Sequence, residues 1–153
     1  MNHQTMNEGN EYLVMIFNEV LSIEEEAISR SEFSDLSVKE MHTIEAIGLS
    51  GDLNSAQVAK RLDITPGTLT VSIQNLVKKG YVTRVKSETD RRVVKLALTK
   101  RGKLIYRLHH KFHMRMVEES LTGFDPEEAQ VLIRGLRNLH EFLNDLKNQQ
   151  RKE

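Results

Sequence analysis

The stretch that decides the fold is NSAQVAKRLDITPGTLTVSIQNLVKKGYVTRVKSETDRRVVKLAL, residues 54–98. Its first part predicts a short helix, because Asn54 or Ser55 can accept a hydrogen bond from an unpaired N–H of a first helical turn. Gln57 stands three residues after Asn54, at the position that completes a capping box. The dipeptide Asp63-Ile64 is predicted to form a tight turn after this helix.

A second helix is predicted to begin at Pro66. Thr65 supplies a capping oxygen, and proline has no N–H to leave unpaired in the first turn. At about 100° per residue, one side of this helix collects apolar side chains, namely Leu69, Ile73, Leu76 and Val77. The opposite side, predicted to be exposed, collects Gly67, Thr68, Val71, Gln74, Asn75 and Lys78. Gly80 readily adopts a positive φ and is predicted to end the helix.

Two strands are predicted next, over residues 81–86 and 93–98, because both segments are rich in β-branched residues. They are joined by a polar, charged tip, Ser87-Glu88-Thr89-Asp90-Arg91-Arg92. Thr99 is placed to cap a following helix. Helix, turn, helix and two-stranded hairpin in this order predict a winged helix-turn-helix, an arrangement that favours binding of duplex DNA.

Composition supports an interaction with phosphate. The chain of 153 residues has no net charge, yet residues 60–115 carry 15 lysines and arginines against 3 acids, while the remainder carries 7 against 19. A basic segment in a neutral protein is typical of one face that meets nucleic acid. With no cysteine the chain has no disulfide, thiolate zinc site or peroxide-sensing thiol. No apolar run predicts a signal segment or a membrane partner, so the expected compartment is the cytoplasm.

Helical segments flank the winged helix-turn-helix and predict a dimer. The whole chain, 1–153, is interpreted as a single domain, in which 36–98 is the DNA-binding region and 7–30 with 99–150 is a helical dimerisation region. Helices are predicted over 10–30, 37–49, 99–121 and from Asp125 onward, the second capped by Ser37 with Glu40. The last helix has a coiled-coil-like seam, Ala129, Leu132, Leu136, Leu139, Leu143 and Leu146. Packing of this seam within the protomer is the alternative.

The chain resembles the MarR family of bacterial transcription regulators across nearly its whole length. The resemblance rests on Asp90-Arg91-Arg92, similar to the family's D-x-R, and on the segment 96–102, LALTKRG, similar to its L-T-x-x-G. Within the family, segments 37–44, 91–94 and 108–113 resemble the repressors of fatty-acid synthesis genes. The resemblance implies a homodimer that binds palindromic double-stranded DNA upstream of such genes, with long-chain acyl groups on acyl carrier protein acting as co-repressor.

The second helix of the motif is predicted to lie in the major groove, where Thr68, Gln74 and Asn75 reach base edges and Val71 meets a thymine methyl. The wing is predicted to place Arg91 or Arg92 in the minor groove, and the family resemblance points to Arg92 with Asp90 bracing it. Basic side chains around both elements are predicted to hold phosphates. The predicted DNA-binding residues are Thr68, Thr70, Val71, Gln74, Asn75, Lys78, Arg84, Lys86, Asp90, Arg91 and Arg92.

A cleft for an effector is predicted between the first, second and fifth helices. Its candidate lining is apolar and would suit a fatty chain, because each buried methylene contributes roughly 0.8 kcal/mol. Plain core packing is the alternative for every one of these residues. The candidate ligand-binding residues are Phe17, Leu21, Ile28, Met41, Ile44, Leu104, Leu108, Phe112 and Met116.

Three other functions remain open from the sequence. A zinc-responsive regulator of the same family would use Glu24, His42, His109 and His113, although no cofactor is otherwise implied. A regulator of the same family that responds to another small molecule is a second alternative. A winged helix used only to bind protein is a third. Catalysis is not expected, because the acid clusters at 24–26 and 118–119 have no accompanying nucleophile, phosphate loop or cofactor motif.

Overall fold

The structure is a computed structural model that describes residues 2–151. The elements in that range are α1 (His3–Ser29), α2 (Val38–Ile47), β1 (Leu53–Asn54), α3 (Ser55–Leu62), α4 (Pro66–Lys78), β2 (Val82–Lys86), β3 (Val94–Leu98), α5 (Lys100–Ser120) and α6 (Pro126–Gln150). The predicted class, mainly α with a small β-wing, is confirmed. The described residues form two compact units, divided between His109 and His110 inside α5. Over the described range, no helix combines the length and apolar character needed to cross a membrane.

Local caps set the start of most helices as predicted. Ser37 accepts a hydrogen bond from the Glu40 N–H, and Asn54 accepts one from the Gln57 N–H, each completed as a capping box. The Thr65 hydroxyl accepts from the Thr68 N–H at 3.3 Å, one residue before Pro66. The start of α1 differs from the prediction at residue 10, because Asn2 caps a polar first turn that has no apolar periodicity to reveal it.

The turn of the helix-turn-helix depends on one left-handed residue. Asp63 has φ 58°, a conformation that aspartate tolerates better than most side chains. The backbone N–H groups of Asp63 and Ile64 then donate to the carbonyls of Lys60 and Ala59, which closes the end of α3. The chain therefore turns sharply enough for α4 to begin at Pro66. At the other end of α4, Gly80 has the expected positive φ of 82°.

The wing is part of a three-stranded antiparallel sheet in the described residues, in the order β1-β3-β2. Val82 pairs with Leu98 and Lys86 with Val94, so the predicted hairpin has a continuous register. The third strand, β1, was not predicted. It has only two residues, too few to show alternation, and it exists because Leu53 pairs with Leu96 from 43 positions further along the chain.

The core of the first unit forms where α2, α3 and α4 meet the sheet. It includes Ile44, Val58, Leu69 and Tyr81, each fully buried, and Ile28 is the one residue of α1 that joins it. The apolar side of α4 predicted from the sequence is buried at Leu69, Ile73 and Leu76. This packing fixes α4 by its inner side and leaves the opposite side free.

Residues Leu98 to Gly102 join the wing to α5. Leu98 is buried, and the Thr99 hydroxyl donates to the Gly80 carbonyl at 2.7 Å and accepts from the Gly102 N–H at 3.1 Å. Gly102 lies so close to Tyr81, the residue before β2, that a Cβ there would be 2.2 Å from the Tyr81 carbonyl oxygen. The L-T-x-x-G pattern is therefore explained by a cap and a close backbone contact.

Two helices present apolar side chains that are exposed in the described structure. Along α1, Leu13, Ile16 and Phe17 are 39%, 53% and 62% exposed. In the second unit, α6 begins with a capping box between Asp125 and Glu128 and has no buried residue among those described. Its seam is half-buried at three positions and exposed at Leu136, Leu143 and Leu146. Neither helix therefore satisfies its apolar side within its own unit.

Candidate nucleic-acid interface

The outward side of α4 is accessible along its length. Gly67, Thr68, Val71, Gln74, Asn75 and Lys78 are all exposed, as the sequence predicted. Thr68 shares a hydrogen bond of 2.8 Å with the Thr65 hydroxyl, so its side chain is oriented at the start of the helix. The Thr70 hydroxyl donates to the Pro66 carbonyl at 2.9 Å and is thus partly occupied by the helix itself. Thr68 is therefore better placed than Thr70 to donate to a ligand.

Polar contacts hold α4 firmly against its neighbours. The Lys79 ammonium lies 2.8 Å from a Glu40 carboxylate oxygen and also donates to the Asp35 carbonyl. Within the helix, the Ser72 hydroxyl lies 3.3 Å from that of Thr43 on α2. A rigid support of this kind keeps the outward side chains in fixed positions, which recognition of a defined surface requires.

Tyr81, just after α4, is part of the same support. Its hydroxyl donates to Asp35 Oδ1, and its ring lies 4.7 Å from the Arg101 guanidinium. Burial raises the pKa of the Tyr81 phenol well above its usual range, and the hydrogen bond to Asp35 raises it further. The phenol therefore stays protonated and donates this bond at any physiological pH.

The wing tip holds two arginines in solvent. Arg91 and Arg92 are exposed, and within residues 2–151 neither forms an ion pair with a carboxylate. Asp90 Oδ1 accepts from the Arg92 backbone N–H at 3.0 Å, and the Asp90 carbonyl accepts from the Val93 N–H at 3.0 Å. Asp90 therefore orders the backbone of the tip and leaves the Arg92 guanidinium available.

The remaining predicted cations are on α4 and on the hairpin. Lys78 on α4 and Arg84 and Lys86 on β2 are exposed, and none pairs with a carboxylate in the described part of the chain. All eleven predicted DNA-binding residues are thus exposed on α4 or the hairpin. Exposed cations without acidic partners, on the hairpin and on the polar side of α4, suit an extended polyanion.

A groove between α2 and α4 widens this surface beyond the predicted residues. It has a volume of about 710 Å³ and is lined by Asp35, Leu36, Ser37, Lys39, Glu40, Thr43, Ile64, Thr68, Val71, Ser72, Asn75 and Lys79. Periodicity within α4 identified Thr68, Val71 and Asn75. It could not identify Ser37 and Lys39, which are distant in sequence and reach the groove only through the packing of α2 on α4.

The candidate effector residues divide into three groups. Ile28, Met41 and Ile44 are buried in the core cluster, which matches the alternative of plain core packing. Phe17, Leu21, Leu104 and Leu108 are exposed, at 62%, 49%, 44% and 49%. Phe112 and Met116 belong to the second unit, where both are half-buried. Phe17, Leu21, Leu104 and Leu108 are therefore accessible from solvent, whereas contact with Ile28, Met41 or Ile44 would require movement of the core.

Three of the four candidate metal ligands, Glu24, His42 and His109, lie in the first unit, where Glu24 contacts both histidines. Glu24 is 5% exposed, and its carboxylate oxygens lie 3.5 Å from His42 Nε2 and 3.8 Å from His109 Nδ1. His109 Nε2 lies 3.2 Å from a carboxylate oxygen of Glu45, a residue that the sequence reasoning missed. Among the described residues of the first unit, His42, Glu45 and His109 each offer one ligand atom within 4.8 Å of the others, whereas Glu24, His42 and His109 do not form such a group. His113 is in the second unit.

The exposed polar side of α4, together with the hairpin that has arginines at its tip, defines the class of winged-helix nucleic-acid-binding proteins. A family model described as the MarR family matches residues 34–93. The structure of Streptococcus pneumoniae FabT in complex with DNA is 53% identical, covers 92% of this chain and 99% of that chain, and superposes with a TM-score of 0.81.

Two regulators are similar over shorter stretches. The HTH-type transcriptional regulator YfiV of Bacillus subtilis is 32% identical over 116 residues, which are 75% of this chain and 72% of that protein. SarZ of Staphylococcus epidermidis is 34% identical over 86 residues, which are 56% of this chain and 57% of SarZ. The chain therefore belongs to the MarR family of DNA-binding transcription regulators, and its relatives are regulators and not enzymes.

Proposed function

We propose that this protein is a homodimeric transcriptional repressor that acts in the cytoplasm on pseudo-palindromic operators of fatty-acid synthesis genes. Long-chain acyl groups on acyl carrier protein are its proposed co-repressor. The observation that carries the DNA-binding part is the exposed side of α4 beside the unpaired arginines of the wing. The fatty-acid part is supported by the subgroup resemblance in sequence and by 53% identity to FabT over 99% of that chain.

The contacts proposed for DNA follow from the chemistry of each position. Thr68, Gln74 and Asn75 offer donors and acceptors to base edges in the major groove, and Val71, at 58% exposure, offers an apolar surface to a thymine methyl. The wing inserts Arg92 into the adjacent minor groove, where a narrow A·T-rich segment attracts a guanidinium. Contacts to phosphate, which position the protein without reading sequence, are assigned to Thr70, Lys78, Arg84, Lys86 and Arg91.

The proposed dimer uses the uncovered apolar sides of α1 and α6. Helix-turn-helix dimers bind half-sites about 34–36 Å apart on one face of the duplex, so two copies of α4 require a two-fold operator. The acyl chain is proposed to contact the exposed candidates Phe17, Leu21, Leu104 and Leu108. It acts as a co-repressor if it binds the DNA-competent conformation more tightly than the alternative one.

The test is an anisotropy titration of a labelled duplex from the region upstream of a fatty-acid synthesis gene. We expect the affinity for this duplex to rise when acyl carrier protein bearing a long acyl chain is added. It should not change when the carrier protein lacks an acyl chain. The log-log slope of affinity against salt should be roughly −0.9 per phosphate contact, which distinguishes a DNA-binding protein from a winged helix that binds only protein. An operator affinity that is the same with acylated and with unacylated carrier protein would contradict the co-repressor proposal.

A second candidate, a zinc-responsive regulator, is favoured by His42, Glu45 and His109, whose ligand atoms lie within 4.8 Å of one another. Its test is zinc titration of the metal-free protein with operator affinity as a second readout. Stoichiometric binding that is lost in His109→Gln and retained in the control His140→Gln, together with a zinc-dependent change in operator affinity, would establish it. Absence of stoichiometric zinc would leave the cluster as an acid-histidine contact between α2 and α5.

A further inference from the structure

The outward side of α5 carries a row of cations that the proposed DNA contacts do not use. Gly102, Ile105 and His109 form the buried side of this helix in the first unit. Lys103 and Arg107 are four residues apart and Lys100 is three residues before Lys103, a spacing that places all three near one another, away from the buried side. In the sequence, the spacing of four continues to Lys111 and Arg115.

These cations have no acidic partner of their own. Lys100 and Arg107 are exposed and Lys103 is half-buried, and among residues 2–151 none of the three forms an ion pair with a carboxylate. Arg101, on the same turn, contrasts with them because it reaches back to Asp35 and to the Glu32 carbonyl. Like charges gathered on one helix side repel each other slightly, and an acidic partner would remove that repulsion.

Two leucines adjoin the row. Leu104 and Leu108 are 44% and 49% exposed and lie four residues apart, next to the cations on the helical wheel. Phosphates of a duplex gain from cations but gain nothing from exposed leucine. An acidic protein surface with an apolar centre gains from both, because charge steers the approach and the buried apolar atoms add affinity.

We propose that this side of α5, defined by Lys100, Lys103 and Arg107 with Leu104 and Leu108, is the docking surface for an acidic protein. Under the proposed function, on which this inference rests, that protein is the acyl carrier protein. Docking there would bring the acyl group directly to Leu104 and Leu108, two of the exposed candidates for acyl contact. The cations would then bind the acidic carrier protein, and the leucines on the same side of the helix would contact its acyl group.

The test compares two charge-reversal variants. Lys103→Glu/Arg107→Glu changes the proposed surface, and Arg134→Glu/Arg137→Glu is the matched control, a pair of exposed helix cations at a similar spacing on α6 and on the side opposite its leucine seam. Calorimetric titration with purified acyl carrier protein that bears a long acyl chain measures docking. Anisotropy of the labelled operator without the carrier protein measures DNA binding. Thermal unfolding of each variant verifies the fold.

We expect the α5 variant to bind the acylated carrier roughly tenfold or more weakly than the wild type. The control should stay within about twofold, and both variants should keep wild-type affinity for DNA alone. If the α5 variant does not fold, the wild type still decides, because its carrier affinity must fall as salt rises. Salt-independent binding would overturn the proposal.

Three further results would overturn it in different ways. Unchanged carrier affinity in the α5 variant would refute this surface and leave the proposed function intact. An equal loss of operator affinity without carrier would assign the cations to DNA. A wild-type dimer that does not bind the acylated carrier at all would refute both the surface and the proposed co-repressor.

Discussion

Gly102 and Gly135 are both in helices, yet they have opposite surroundings. A Cβ at Gly102 would be 2.2 Å from the Tyr81 carbonyl oxygen, a backbone atom that cannot move aside without shifting β2. A Cβ at Gly135 would meet nothing within 4 Å. Gly102 is required by a close contact. Gly135 has no such contact, and its effect is to increase the conformational freedom of the unfolded chain.

Gly102→Ala is therefore expected to destabilise the protein by about 1–3 kcal/mol through overpacking. Gly135→Ala should stabilise α6 by about 0.5–1 kcal/mol, because alanine has the higher helix propensity. Urea unfolding monitored by circular dichroism measures both changes. A Gly102→Ala protein as stable as the wild type would show that α5 does not approach Tyr81 this closely.

At the wing, the structure separates the roles of two neighbouring residues. The Asp90 carboxylate accepts a hydrogen bond from the backbone N–H of Arg92 and so orders the tip, while the Arg92 side chain is available to a ligand. Arg92→Ala is expected to weaken operator binding by about 1–3 kcal/mol, measured by anisotropy on the same duplex.

Arg30→Ala is the control for this change, because Arg30 is an exposed cation that pairs with Glu26 at the end of α1. The control should retain wild-type affinity. Equal affinity of Arg92→Ala and the control would exclude the wing arginine from DNA recognition.

Among the elements, α4 was predicted almost completely from local sequence. Thr65 and Pro66 determine where it begins, Gly80 determines where it ends, and apolar spacing determines which side is buried. Each of these depends on residues within one or two helical turns. The Lys79 contact with Glu40 and the groove lined by Lys39 depend on residues about 40 positions away, so no local pattern could reveal them.

The two kinds of side chain on α4 should respond differently to substitution. Asn75→Ala is expected to lose about 1–3 kcal/mol on the operator and to relax the preference at one base pair, because an amide reads base edges. Lys78→Ala should weaken all duplexes alike and reduce the salt slope by about 1, because an ammonium meets phosphate.

Affinities on a set of operator duplexes with single base-pair changes, each measured at several salt concentrations, distinguish these outcomes. If Asn75→Ala weakened every duplex equally, the assignment of this residue to a base would be wrong.

For the whole molecule, the sequence predicted the apolar sides of α1 and α6, but a single protomer cannot show what covers them. Phe17 on α1 and Leu136 on α6 remain more than half exposed, at 62% and 55%. The contact between Glu45 and His109 and the strand β1 were not predicted either. Both depend on contacts between residues more than 40 positions apart.

Leu136→Asp/Leu143→Asp is expected to dissociate the proposed dimer, since each buried leucine contributes about 1.5–3 kcal/mol and the two changes should raise the dimer dissociation constant at least roughly 100-fold. Light scattering during size exclusion measures the mass, and operator affinity should fall with it. Arg137→Ala, on the opposite side of α6, should remain dimeric. A wild-type protein that is monomeric while bound to its operator would contradict the two-fold account.

Recognition of duplex DNA by the exposed side of α4 and the wing is tested most directly by selecting bound fragments from the sheared host chromosome with the purified protein. We predict enrichment of fragments that share two half-sites about 10–10.5 base pairs apart, and loss of that enrichment when Gln74, Asn75 and Arg92 are replaced by alanine. Recovery of no sequence above a random competitor, or the same enrichment with the triple variant, would contradict the claim.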